Sequence, residues 1–242
     1  LHQLAPMVTN TPRPEWMQFI ENLKQDHPSL SIPPSDVLQA QQVLSALDIV
    51  FQEDPETTVV TGVGQHQMWA AQFLSFNHEN TFISSGGLGA MGFEIPAALG
   101  AQVGKPNAPV WSVAGDGGFQ MTNQELMTLA EEKLPVKIAL INNGYLGMVR
   151  QWQEMYFENH LKAVPIRGPD FVMLAESYGV SAVRVTEQED VLPALRQAQA
   201  HDGPFLIEFV VDSTTNVYPM VPPGGSLADT IEDPAMVSNP VT

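Results

Sequence analysis

Two apolar runs, each ending in a hard oxygen ligand, most constrain what this chain can fold into. Val110-Trp-Ser-Val-Ala114 runs into Gly115-Asp116-Gly117-Gly118, and Val136-Lys-Ile-Ala-Leu-Ile141 runs into Asn142-Asn143. Continuous apolar runs of this length, bounded by turn residues, read as strands buried on both faces. As parallel strands they bring Asp116 and Asn143 to one carboxyl edge, where open α/β sheets bind ligands. A carboxylate and an amide oxygen suit magnesium, which takes oxygen in octahedral geometry and shares its shell with phosphate. The glycines after Asp116 let backbone N–H groups approach a phosphate with no Cβ in the way. Asn143-Gly144 then turns into a helix whose first amides and dipole favour an anion. The expected chemistry is a diphosphate–metal clamp. The bland alternative is two buried strands followed by ordinary turns.

The rest of the chain supplies a sheet around that pair. Strands are expected over 57–61, 81–84, 181–186 and 205–211, which with 110–114 and 136–141 makes six. Helical patterns alternate with them, so the fold class is α/β: one doubly wound, six-stranded parallel sheet with helices on both faces. Ser35 is expected to cap a helix whose buried stripe is Ala40, Val43, Leu44, Leu47, Val50 and Phe51. Thr122 and Glu125 read as a capping box for the helix carrying Leu126, Leu129 and Ala130. Asp170 to Tyr178 reads as a short helix closed by Gly179, and 188–200 as a longer one.

The ends look different. Residues 1–34 are proline-rich and read as an interdomain linker around one helix begun by Pro14, with Trp16, Phe19, Ile20 and Leu23 on one stripe. Residues 35–212 are the expected cofactor domain. Residues 213–242 form a Pro/Gly-rich tail, either a loose end or a flap over the site. The apolar residues of Pro219-Met-Val-Pro-Pro-Gly-Gly225 favour the flap. A chain that begins at Leu1 reads as a piece of a longer polypeptide or a processed form.

Composition narrows the partners. A formal charge of -17 argues against nucleic acid, which needs a basic face. No run of 18 apolar residues is present, so no membrane-spanning helix is expected. The absence of cysteine removes disulfides, zinc–thiolate sites and cysteine nucleophiles and accords with a reducing compartment. Gly87-Leu-Gly89-Ala-Met-Gly92 matches the G-x-G-x-x-G dinucleotide fingerprint between a strand and a helix. Its acidic partner would be Asp116, which opens a glycine loop of its own. Nicotinamide binding stays as a minor alternative.

Gly115-Asp-Gly117, 24 intervening residues, then Asn142-Asn143 resembles the signature of thiamine-diphosphate enzymes. Three phrases are similar to one branch, the acetohydroxyacid (acetolactate) synthase large subunit. They are Val63-Gly-Gln-His-Gln-Met-Trp-Ala-Ala-Gln72, Ser85-Gly-Gly-Leu-Gly-Ala-Met-Gly92 and Leu146-Gly-Met-Val-Arg-Gln-Trp-Gln153. The resemblance is to the carboxyl-terminal third of such a subunit. The pyrimidine-binding domain and the FAD-associated middle domain of the family lie outside it.

The resemblance implies the following roles. Asp116 and Asn143 hold magnesium with the backbone carbonyl of Tyr145. Val63, Gln65, His66, Gly117, Gly118, Met121, Leu146, Gly147 and Met148 contact the cofactor, most of them at its diphosphate. The Gly89 carbonyl accepts a hydrogen bond from the cofactor's exocyclic amine, and Met91 props the cofactor into a bent shape. Met148, Val149 and Trp152 surround the substrate, with Trp152 biasing the second 2-keto acid. Read alone, Met91, Met148 and Trp152 are as easily core residues, and His66 a cap or surface residue. Glu94 stands where many relatives carry a small or apolar residue, and a carboxylate there costs desolvation unless paired.

The implied cofactors are thiamine diphosphate and Mg2+, with FAD in the wider family. The implied activity is a transferase of branched-chain amino-acid biosynthesis, in the cytoplasm or, for a plant-type source, a plastid. It decarboxylates pyruvate and joins the two-carbon unit to a second 2-keto acid. The implied partners are those keto acids, a homo-oligomer or neighbouring chain bringing the catalytic glutamate, and a regulatory subunit. Another thiamine-diphosphate decarboxylase or carboligase is the alternative within the superfamily. A cofactor-binding fragment without turnover is the alternative outside it.

Overall fold

A computed structural model describes residues 3–9 and 11–235, so Leu1, His2, Asn10 and the 236–242 end of the tail lie outside the described residues. The chain divides into two compact units, Pro34–Val217 and the two terminal segments 1–33 and 218–242.

The larger unit is a six-stranded, all-parallel sheet. Its strands are β1 (Thr58–Thr61), β2 (Phe82–Ser84), β3 (Val110–Gly115), β4 (Lys137–Asn142), β5 (Ser181–Val185) and β6 (Phe205–Val210), in spatial order β2-β1-β3-β4-β6-β5. All six expected strands are present. Their period of two separates the core into two layers. Trp111, Val113, Ala139, Ile141, Phe205, Ile207 and Phe209 face one side, while Val110, Ala114, Ile138, Leu140 and Leu206 face the other.

Helices cover both layers. With α1 being Pro14–Asp26 in the smaller unit, α2 (Ala40–Phe51), α3 (Gln65–Phe73) and α9 (Gln188–Ala200) pack on the first face. The second face carries α4 (Glu94–Gly104), α5 (Asp116–Thr122), α6 (Glu125–Glu131) and α8 (Phe171–Ser177). The remaining helix, α7 (Gly147–Tyr156), follows β4. The chain leaves β1 by α3 on one face and enters β3 from α4 on the other. The strand order therefore reverses between β1 and β3, which opens a crevice at their carboxyl ends.

Two helix starts differ from the sequence reading. Ser35 does not cap α2; its hydroxyl accepts from the Val37 amide at 3.1 Å in a local turn. The Leu38 carbonyl accepts from Asp212 N at 2.8 Å, which keeps this stretch off the helical path. The helix starts only at Ala40, where Gln42 Oε1 accepts from the Gln39 amide at 2.9 Å. Nor do Thr122 and Glu125 form a capping box. Thr122 ends α5 and donates its hydroxyl to the Gly92 carbonyl at 3.0 Å, a tertiary bond that no local pattern announces. Helix thus begins at Asp116 itself, directly off β3.

In the smaller unit α1 forms where Pro14 predicts, but Trp16, Phe19 and Leu23 stay exposed. Met220 and Ile231 form a bridge, and His27 meets Glu232 at 2.5 Å. Among the described residues no helix is long and apolar enough to cross a membrane.

Phe119 anchors α5 beneath the crevice, meeting Phe171 edge-on with ring centroids 5.6 Å apart, both rings fully buried. Phe119→Ala should lower unfolding free energy by about 3–5 kcal/mol, measured by urea denaturation. A loss below about 1 kcal/mol would mean that α5 is not held by this contact.

Candidate functional site

The crevice at the ends of β1, β3 and β4 holds a hollow of about 60 Å3. Three turns build it. The β1 turn contributes Val63, Gly64, Gln65 and His66, the β3 turn Gly115 to Gly118, and the β4 turn Asn143 and Tyr145 to Val149. Met91, Trp69 and Ile141 complete the lining. Asp116 and Asn143 therefore share one cavity. The register explains it: Gly115 pairs with Ile141 across β3 and β4, so the residues just beyond emerge side by side.

The loops are tied by backbone amides. Asp116 accepts from Gly144 N at 2.8 Å through one oxygen and from Gly117 N at 3.0 Å through the other. Asn143 Oδ1 accepts from Tyr145 N at 3.0 Å, and its Nδ2 donates to Gln65 Oε1 at 3.3 Å. Asn142, one residue earlier, turns the other way and donates to Glu208 at 2.7 Å. Glu208 is buried and held in turn by Arg184 at 2.7 Å. The two asparagines thus divide their work, one anchoring the strand end and one facing the hollow.

Burial sets the titration of this site. It pushes the Asp116 carboxyl up to about 7, against the opposing pull of the Gly144 and Gly117 amides. A nearby cation would relieve that cost. His66 is buried rather than at the surface, and burial lowers its pKa to about 4, so its imidazole is neutral. Its Nε2 has no hydrogen-bond partner among the described residues. Gly117 is boxed: a Cβ there would come within 2.8 Å of Leu146 Cδ2 and 3.6 Å of Met91 Cε. Glycines with no room for a Cβ, an orphaned imidazole nitrogen and an all-oxygen donor set fit a diphosphate with a hard cation.

Most of the residues singled out in the sequence line the hollow: Val63, Gln65, His66, Met91, Asp116, Gly117, Gly118, Asn143, Tyr145, Leu146, Gly147 and Met148. Gly89, Met121 and Trp152 do not. Gly89 sits in the exposed 86–91 loop with a left-handed φ of 65°, a conformation suited to glycine. Trp152 is one turn beyond Met148 on α7, 40% exposed, with its ring edge-on to Tyr156. Sequence reasoning assigned no role to Gly64, Trp69, Gly115 or Ile141, which also line the hollow. Gly64 carries a signal in hindsight, since its φ of 148° is one that side chains rarely adopt. The G-x-G-x-x-G loop follows β2, an edge strand, rather than the strand-order reversal where a dinucleotide would bind.

Glu94 is fully buried, and a Cβ on either Gly62 or Gly118 would collide with its carboxylate. Neither oxygen has a well-formed hydrogen bond among the described residues. Burial raises its pKa to about 7, only partly offset by the amides of Glu94 and Gly92. Its carboxyl therefore favours the fold below its unfolded value of 4.5, and that contribution is lost as pH rises through about 7. Glu94→Gln should gain stability on the wild type between pH 5 and pH 8, by up to roughly 3 kcal/mol in urea melts. Parallel pH profiles of the two proteins would contradict this account of Glu94.

Comparison with known proteins agrees with the geometry. The family described as thiamine pyrophosphate enzyme, C-terminal TPP binding domain, matches residues 62–209, more than half of the chain. The acetolactate synthase large subunit of Corynebacterium glutamicum is 47% identical over 222 residues, covering 89% of this chain and 35% of that subunit. The acetolactate synthase isozyme 2 large subunit of Escherichia coli is 41% identical, covering 90% and 40%. The probable acetolactate synthase large subunit of Methanocaldococcus jannaschii is 41% identical, covering 90% and 37%. The chain spans little more than a third of the length of these curated relatives. It belongs to the thiamine pyrophosphate enzymes and carries their C-terminal TPP binding domain.

Proposed function

We propose that this chain is the diphosphate-binding part of an acetolactate synthase, which decarboxylates pyruvate and joins the two-carbon unit to a second 2-keto acid. The observation that carries the site is the shared hollow of Asp116 and Asn143, floored by Gly117 and Gly118. The relatives' printed names carry the reaction.

Asp116, Asn143 and the Tyr145 carbonyl would hold Mg2+, which would supply positive charge against a diphosphate. Gln65, His66 and the Leu146–Gly147 backbone would meet the diphosphate. A neutral His66 donates or accepts one hydrogen bond there and brings no charge. Thiamine diphosphate, when bound, supplies the stabilised carbanion that the protein's side chains cannot. Met91 stands 38% exposed at the rim, where an adaptable thioether would support the ring portion of the cofactor. Gly89, Met121 and Trp152 are proposed for the parts of cofactor and substrate beyond the hollow.

The cavity is small beside the about 300–1,000 Å3 usual for small-molecule pockets. It suits the diphosphate and its ion, with the rest of the cofactor covered by a second surface on a neighbouring domain or chain. The domain reading belongs to the same proposal, with 1–34 a linker and 35–212 the cofactor domain; the compact unit carries 213–217 as well, so of the expected 213–242 flap only the part from Tyr218 onward is proposed as one. FAD and a regulatory subunit would be matters for other domains of the whole enzyme. The cysteine-free composition accords with the cytoplasm.

Calorimetric titration of the chain with thiamine diphosphate should give Mg2+-dependent binding that Asp116→Ala abolishes. The chain alone should form no acetolactate from pyruvate above background. Mg2+-independent binding unaffected by Asp116→Ala would refute the site, and turnover by the pure chain would refute the need for a second surface.

A further inference from the structure

An amide side chain has chemically opposite ends of nearly equal shape, so its orientation is dictated by its partners. That matters at Asn143, because only its oxygen can ligate a cation. A chain of such amides leads from Asn143 back to a backbone unit whose polarity is fixed. Val217 donates its N–H to Gln151 Oε1 at 2.8 Å, and its carbonyl accepts from Gln151 Nε2 at 2.9 Å. Gln151 is fully buried on α7, and this two-pronged pairing leaves it one way round. Its Oε1 then accepts from Gln65 Nε2 at 2.9 Å. The Thr215 carbonyl accepts from the same Gln65 nitrogen at 3.2 Å. With Nε2 committed, Gln65 presents Oε1 to Asn143, and that oxygen can only accept. Asn143 must answer with Nδ2, at 3.3 Å. Its Oδ1 is left on the other side, beside the Tyr145 amide.

The backbone at the start of this chain is itself pinned. Arg150, the neighbour of Gln151 and also buried, donates to the carbonyls of Thr214 and Thr215 at 3.1 Å each and to Asn216 Oδ1 at 2.7 Å. Asp212 accepts from the Thr214 amide at 2.9 Å and from the Thr215 hydroxyl at 2.8 Å. Segment 212–217 therefore has little freedom to reverse the polarity it imposes.

We propose that Gln151 is a positioning residue for the cation site: through Gln65 it fixes which end of the Asn143 amide faces the metal. This rests on the reading of Asp116 and Asn143 as cation ligands. Gln151 touches neither the hollow nor any proposed ligand atom, and its effect passes through two amides.

The test uses Mn2+ as the probe, with thiamine diphosphate present, and reads free Mn2+ by electron paramagnetic resonance. Gln151→Met keeps the side-chain length and removes the relay. It should weaken Mn2+ binding about 10–100-fold, the usual effect of losing a partner that orients a ligand. Asn143→Asp supplies the discriminating background, because a carboxylate offers oxygen whichever way it is turned. In that background Gln151→Met should change affinity by less than about threefold. A purely structural role would impose the same penalty in both. Equal penalties, or a Gln151→Met protein that binds Mn2+ as tightly as wild type, would overturn the proposal. If Gln151→Met does not fold, Gln151→Leu removes the same relay with a smaller apolar side chain and enters the same pair of backgrounds. A wild-type chain that binds no Mn2+ would instead refute the cation site, and the relay with it.

Discussion

The structure depends on the parallel pairing of β3 with β4. Its register sets Gly115 against Ile141, and the next residues of each strand step out of the sheet together. The Asp116 carboxylate then accepts from the Gly144 amide, so one hydrogen bond closes the two turns into a single wall. Every later feature of the site inherits this. The helices that leave those turns, α5 and α7, start at fixed places, and the small hollow lies between them. Shifting the pairing by one residue would send Asp116 to the opposite face, since side chains alternate along a strand.

Placing polar groups there is costly, and the cost is what makes the site usable. Asp116 is buried beside a neutral His66 with an unpartnered nitrogen. A cation and a diphosphate would replace poor solvation with strong local charge, so binding would relieve strain already present in the fold. Glu94 is a different case. It presses against Gly62 and Gly118 with no good partner. A Cβ at either position would force that carboxyl to shift, so one buried acid bears on two of the turns that shape the hollow.

The strands and the placing of Asp116 and Asn143 at one edge were legible in the sequence because each apolar run stops abruptly at a polar residue. His66 was legible as a site residue only through its neighbours, and its burial was not. The helix starts misled for a clear reason. Ser35 and Thr122 are good caps locally, but one closes its own turn with Val37 and the other reaches Gly92, some 30 residues away in sequence. Gln151 carried no signal at all. In the sequence it is one residue of the Leu146–Gln153 phrase, with no partner in view. Only the return of the chain at Val217 gives it a backbone to pair with. Propensity and motif therefore reach the residues that face the hollow, but not those that hold them in orientation.

The central claim is that Asp116 and Asn143 together hold a divalent cation at the carboxyl edge of the sheet. Anomalous X-ray diffraction from crystals grown with Mn2+ and thiamine diphosphate addresses it directly. The account predicts a strong anomalous peak with oxygens of Asp116, Asn143 and the Tyr145 backbone around it, and diphosphate completing the shell. A peak elsewhere, or a cofactor bound in this hollow with the Asn143 nitrogen turned towards its phosphates, would contradict it.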